Sequence, residues 1–430
     1  MGPCISRPVQ KSTLNTQCAA DIILHIIEQI ENAKYSNIDE NDIKHIKNVI
    51  QKNLSLYNPV SLQNDETSDD PYLMRLLGIT TDTIPYTKPR TSLECKSIPV
   101  QFKDTLLSNE FDVYEFDKAT QGNPLCTLGL YVIQKKGLIE SLSLDIQKLV
   151  LFLGKIESGY KTKNLYHNNL HATNVLQLLF FIMQERPICD SILLLSVYVA
   201  AIVHDFKHMG KTNEFLIATS HFIANTYNDI APLENWHVSE AMKLLQYDHF
   251  NFIPEKYFKS FRQQVINLVL STNMTQHFSI CNSHENTVFH YLQLALKAAD
   301  IGHICFPLKH HLLWVQNLEE EFFCQGDIEK EMGMQVTPLF DRNDFGITST
   351  QVQFLEMVAR PLFLKVSKIF PKSGFILTET LTKNLKYWRQ YNIHSSTKEQ
   401  YSSCSLVRLP SELVFLSLPS MTLEDYEQKM

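Results

Sequence analysis

His204 and Asp205 stand side by side at the end of the apolar run 191–203. An imidazole suits zinc and its neighbours, and a carboxylate also suits magnesium or manganese, so the pair can hold one ion and let the carboxylate bridge to a second. The chemistry such a pair serves is hydrolysis by a metal-activated water. His167 and His171 are spaced i, i+4, which on a helix would set both rings on one face about one turn apart. One could then bind metal while the other faces substrate. Asp300 closes an otherwise apolar stretch, 294–301, where a lone buried carboxylate is costly unless paired or metal-bound. Taken singly, each group reads more simply as a surface pair, a packed histidine or a helix-end carboxylate. Taken together, three apolar segments that each deliver His or Asp point to a metal site.

The elements that must position these groups read as helices. Apolar residues recur with helical period through 146–156, 175–183, 192–203, 238–245, 261–270, 288–299, 312–323 and 352–364, with few β-branched alternations and no internal repeat. The spacing predicts an all-α domain from about 111 to 388. Upstream, Ile23, Ile26, Ile27 and Ile30, then Ile43, Ile46 and Ile50, predict a helical hairpin. Its stripe would pack on the main domain or on a second copy in a homodimer. Residues 64–71 read as an exposed linker. The expected organisation is an N-terminal region at 1–99, a helical domain at 100–395 and a tail at 396–430.

Composition narrows the class. The chain has 430 residues, 44% hydrophobic, so it can bury a large core. Thirty-nine basic against 46 acidic residues give a net charge of -7, which argues against a nucleic-acid binder and requires any attraction for phosphate to be local. Nine cysteines without a CxxC fit buried thiols in a reducing compartment, so a cytoplasmic location is expected. The apolar run 191–203 falls short of the roughly 20 residues that cross a bilayer, and no signal peptide is evident. Gly2 and Ser6 fit the pattern for myristoylation and Cys4 could add a palmitoyl chain, which would attach the protein to a membrane surface. Pro3, rigid beside the acceptor glycine, weighs against it and favours an unmodified tail.

The stretch His204-Asp205-Phe206-Lys207-His208-Met209-Gly210-Lys211-Thr212-Asn213-Glu214-Phe215 resembles the His-Asp signature of the class I cyclic nucleotide phosphodiesterases. That pattern reads H-D-[aliphatic or aromatic]-x-H-x-[Gly or Ala]-x-x-Asn-x-[aliphatic or aromatic], and every fixed position is filled. Further landmarks follow in order: Phe111-Asp112-Val113, Tyr166-His167-Asn168 with His171-Ala172, Leu233-Glu234-Asn235 with His237, Ala299-Asp300, Glu320-Glu321-Phe322-Phe323 with Gln325-Gly326-Asp327, and Gln351 with Phe354. The resemblance covers about 111–388.

What it implies is a compact multi-helix catalytic domain of the His-Asp metal hydrolase type. In it His171, His204, Asp205 and Asp300 ligate zinc, and Asp205 with waters holds magnesium or manganese. A hydroxide bridging the ions would attack the phosphorus of cAMP or cGMP, and His167 would protonate the leaving O3′, ending a cyclic nucleotide signal. Glu234 matches a glutamate that helps orient this region, and His208 a histidine just behind the ligands. The resemblance gives base recognition to Gln351, with Phe354 and Leu318 as the jaws of a clamp on the purine. Two positions depart from the pattern: Trp236 stands where histidine is frequent, and His303 stands where cAMP-selective members commonly have Asn. The competing readings are another His-Asp nucleotide hydrolase, against which Gln351 and Phe354 count, and a noncatalytic nucleotide-binding module, against which the intact ligands and His167 count.

Overall fold

Asp112, Asp145, Asn168, Asp190, Thr212 and Thr287 each turn a side-chain oxygen onto the first free amides of a helix. Each such cap is worth about 1 kcal/mol and fixes where its helix begins. The structure is a computed structural model that describes residues 98–398, with side chains described through 391. In order, the helices are Val113–Thr120, Pro124–Lys135, Leu138–Leu142, Ile146–Gly159, Asn169–Ile182, Ser191–Val203, Asn213–Ala218, Phe222–Thr226, Pro232–Leu244, Glu255–Leu270, His277–Asn282, Val288–Asp300, Leu308–Glu331, Arg360–Ile369 and Pro371–Lys398. Among the described residues there is no strand, as the all-α expectation requires. No helix among them is long and apolar enough to cross a membrane.

The Ser191–Val203 helix is apolar on every side, so it can only be a buried element. It packs between Asn169–Ile182 and Glu255–Leu270, and Asn169–Ile182 packs in turn on Val288–Asp300. The start of one helix and the ends of two others therefore meet at one place. That place is where His171, His204 and Asp300 lie.

Two expectations are corrected. His167 does not share a helix with His171: Asn168 is the cap, with φ -131° and ψ -175°, and its Oδ1 takes the Leu170 and His171 amides. An extended residue between the two histidines leaves His167 in the preceding loop. The single helix expected at 352–364 is interrupted, because after the short turn Gln351–Gln353 a π-helical stretch, Phe354–Ala359, leads into Arg360–Ile369. Such turns put an extra residue into the helical register and recur at functional sites. The N-terminal hairpin, the linker at 64–71, Gly2, Cys4 and the tail beyond 398 lie outside the described residues.

Candidate active site

Phe206 anchors the His-Asp pair. Its buried ring lies where a Cβ on Gly159 would stand 2.2 Å away, so the helix Ile146–Gly159 admits the ring only because its last residue is glycine. Tyr160 donates its hydroxyl to the Ile202 carbonyl at 2.8 Å, fixing the helix end just before His204. The chain then turns sharply through Lys207 at φ 61° and Gly210 at φ 66°, a conformation that strains most side chains.

His171, His204, Asp205 and Asp300 bring one ligand atom each to within 4.8 Å of one another. The two histidine Nε2 atoms are 3.2 Å apart. Asp300 Oδ1 lies 3.3 Å from both, and Asp205 Oδ2 lies 3.4 Å from His171 and 3.2 Å from His204. His204 donates Nδ1–H to the Ala201 carbonyl at 2.9 Å, which leaves Nε2 as the ring nitrogen aimed at the cluster. Burial pushes both carboxyls up, but the proton that they in turn stabilise on His204 Nε2 outweighs it and holds Asp205 and Asp300 well below the usual carboxylate range; a cation bound there would displace that proton and take Nε2 as a ligand. Two ionised carboxylates and imidazole lone pairs converging on one point fit a divalent cation.

A second convergence adjoins the first. His237 donates Nδ1–H to the Phe206 carbonyl at 2.7 Å, so its Nε2 is also a lone pair. That Nε2 is buried without a hydrogen-bond partner and faces Asp205 Oδ1 at 3.8 Å. Two acceptors facing one another need a cation or a proton-bearing group between them, and His208 completes this group.

His167 sits beside the cluster, its Nδ1 2.5 Å from Glu321 Oε1, and the other Glu321 oxygen accepts the Tyr166 and His167 amides. Nδ1 is thereby committed, leaving Nε2 as the ring nitrogen free to exchange a proton. Burial lowers its pKa, but Glu321, with Asp205 and Asp300 behind it, raises the imidazole to about 9. In return, and against burial, His167 draws Glu321 down to about 2. The His208 ring stacks on His167 with centroids 4.0 Å apart, and its Nδ1 accepts the Gly210 amide. Burial and the His167 charge push His208 well below its ordinary value. Glu234 accepts from Asn213, whose Oδ1 takes the Leu233 amide, and burial pushes that carboxyl up to about 7.

Gln351, Phe354, Leu318 and His303 line the same cavity as His167 and Asp205. Gln351 donates to the Ile347 carbonyl at 3.2 Å, leaving its buried Oε1 without a partner. The turn Gly302–Cys305, which carries His303, is suspended from side chains on both sides. Asn109 donates to the Cys305 carbonyl at 2.6 Å, and Asn384 to those of Ile304 and Phe306 at 2.8 and 2.9 Å. Glu321 was not among the residues singled out for a role from the sequence. Its signals were its place in the Glu320-Glu321-Phe322-Phe323 landmark, which carried no role for it, and a carboxylate on a long helix, which usually means a solvated surface.

The family model for 3′,5′-cyclic nucleotide phosphodiesterase matches residues 166–380. A mouse protein named high affinity cAMP-specific and IBMX-insensitive 3′,5′-cyclic phosphodiesterase 8A is 31% identical over 317 residues, covering 65% of this chain and 38% of that protein. The rat dual specificity calcium/calmodulin-dependent 3′,5′-cyclic nucleotide phosphodiesterase 1B is 33% identical over 299 residues, covering 65% and 56%. The chain thus spans about half or less of the length of these relatives. The crystal structure of the phosphodiesterase domain of a Salpingoeca rosetta rhodopsin phosphodiesterase superposes with a TM-score of 0.63 at 27% identity, covering 70% of this chain and 96% of that one. The family implies use of divalent metal, which the His171, His204, Asp205 and Asp300 cluster accommodates. By the extent of the family match, this chain belongs to the 3′,5′-cyclic nucleotide phosphodiesterases.

Proposed function

We propose that this chain hydrolyses cAMP and cGMP to the 5′-monophosphates and so ends a cyclic nucleotide signal. The observation that carries the reading is the meeting of the two-histidine, two-carboxylate cluster with the Glu321-bound His167 in one cavity. His171, His204, Asp205 and Asp300 would hold zinc, while Asp205, flanked by His208, His237 and Glu234, would hold magnesium or manganese. Bound there, the cations supply Lewis acidity and a water acidified toward neutral pH.

The rest is the work of side chains. Hydrolysis joins a water oxygen to phosphorus and breaks the bond from phosphorus to O3′, which must leave as a hydroxyl. His167 Nε2 gives that proton, and Glu321 keeps Nδ1 protonated and the ring aimed throughout. His208, stacked flat on His167, stops the ring from swinging. Gln351 Oε1 accepts from adenine N6–H or guanine N1–H, which supports action on both bases. Phe354 and Leu318 would close on the purine faces. The thiols of Cys189, Cys281, Cys305 and Cys324 are unbridged, which supports a reducing, cytoplasmic setting.

Purified protein given cAMP or cGMP should yield 5′-AMP or 5′-GMP, lose activity to a chelator and regain it with zinc plus magnesium. Failure to release a 5′-monophosphate from either nucleotide in the metal-loaded protein refutes the reading.

A further inference from the structure

The cavity walls carry the carboxylates Asp205, Glu234, Asp300 and Glu321, and the only Lys or Arg among the lining residues is Lys211. In a chain of net charge -7, an anionic substrate that enters meets, apart from the His167 imidazolium and the cations proposed for the His-Asp cluster, positive charge on that side chain alone. Lys211 is half-buried, its Nζ 5.8 Å from the Phe215 ring centroid, and no ion-pair partner holds it among the described residues. The nearest carboxylates in its field are engaged elsewhere: Glu321 with His167, and Glu329 with Gln325 and Thr337. Burial pushes the ammonium below its ordinary value, and exposed Lys163 adds repulsion.

Lys163 is kept near by its neighbour. Asn164 donates to the His167 and His208 carbonyls, at 3.0 and 2.9 Å, and stitches the loop carrying Lys163 to the turn carrying Lys211. Like charges on two adjoining segments repel, and an arriving anion would offset that repulsion.

We propose that Lys211, backed by Lys163, captures the phosphate anion at the cavity wall and holds the 5′-monophosphate product more strongly than the cyclic substrate. The inference rests on the function proposed above. A cyclic phosphodiester carries one negative charge, whereas a phosphomonoester carries close to two at neutral pH. Lys211 thus speeds capture and slows product release, and it favours phosphate monoesters as inhibitors.

The test uses the metal-loaded full chain with Lys211→Met, Lys211→Arg and Lys211→Glu, each checked for native circular dichroism. Lys211→Met should raise KM for cAMP about threefold and the Kd of 5′-AMP, measured by calorimetry, about tenfold, because doubling the charge squares the factor. It should also flatten the fall of kcat/KM with salt. Lys211→Glu should be worse and Lys211→Arg near wild type. Equal factors for substrate and product, an unchanged salt dependence, or Lys211→Arg behaving as Lys211→Met would overturn the proposal. If the wild type turned over neither nucleotide yet bound 5′-AMP with this charge dependence, the hydrolytic reading would fall while the anion site stood.

Discussion

Trp388 donates its indole N–H to His311 Nε2 at 2.7 Å. An indole nitrogen only donates, so His311, which burial keeps neutral with a pKa of about 4, carries its own proton on Nδ1. That Nδ1 faces His303 Nδ1 at 3.3 Å, with the His303 carbonyl also in reach. Two N–H groups cannot face each other, so His303 keeps its proton on Nε2. Trp388→Phe keeps the ring and removes the donor. We predict that ¹⁵N shifts of His303 then report a mixture of tautomers and that the ratio of kcat/KM for cAMP and cGMP changes about three- to tenfold, the worth of one neutral hydrogen bond. An unchanged single tautomer would mean that Trp388 only packs.

The acid role proposed for His167 would depend on pH in a definite direction. Raised to about 9, the imidazole is protonated below that value, and its acid form is lost as pH rises through it. Asp205 and Asp300 share in the upward push, so bound dications, which offset them, place the alkaline limb lower. Glu321→Gln removes the largest raising partner, and the limb in kcat/KM should move to lower pH while kcat falls roughly 10–100-fold. A limb that stays in place separates Glu321 from the proton.

Leaving-group chemistry isolates that step. His167→Asn should lower kcat for cAMP roughly 10²–10⁴-fold, yet slow a p-nitrophenyl phosphodiester much less, because p-nitrophenolate departs without a proton. Equal slowing at normal metal content would make His167 a phosphate-positioning group.

Asp205 is the one side chain common to the group His171, His204, Asp205 and Asp300 and the group Asp205, His208 and His237. Asp205→Asn, nearly equal in shape, should cut activity by at least about 100-fold and lower the metal bound per chain by elemental analysis. Full metal occupancy with ordinary turnover would contradict a shared ligand.

Lys297 is fully buried and donates to three consecutive carbonyls, Ser271, Thr272 and Asn273, at 3.1, 3.0 and 3.1 Å. They close the helix Glu255–Leu270, and Thr272 lines the cavity. Lys297→Met leaves the three carbonyls bare and should cost roughly 2–4 kcal/mol, seen as a lower urea midpoint at unchanged slope. An unchanged midpoint would show that water replaces the ammonium.

Much of this was legible in the chain because some signals are local. His204 and Asp205 are neighbours, and the apolar run before them makes their burial predictable. The buried ends of two helices are also implied by apolar segments that stop at His204 and Asp300, and the buried start of a third by the apolar run that follows His171. What misled was equally physical: i, i+4 spacing between His167 and His171 suggests one helix, but Asn168 prefers to cap and does so. Glu321 lies 154 residues from His167, and nothing near it in sequence marks it as a partner. The link from Trp388 to His303 escaped for the same reason, since donor and acceptor roles emerge only when the side chains meet. The π turn escaped because apolar residues alone do not reveal one extra residue in a helical register.

The suspended turn has a mechanical consequence. Its carbonyls hang from Asn109, just ahead of the helix Val113–Thr120, and from Asn384, on the helix Pro371–Lys398. A displacement of either asparagine would travel through these amides to His303 and, because the turn begins two residues after Asp300 and Gln177 on the helix of His171 donates to the Leu106 and Ser108 carbonyls beside Asn109, to the His-Asp cluster as well. The cavity wall at His303 is therefore geared to the cluster at His171 and Asp300, so a shift of either asparagine would be felt at both together.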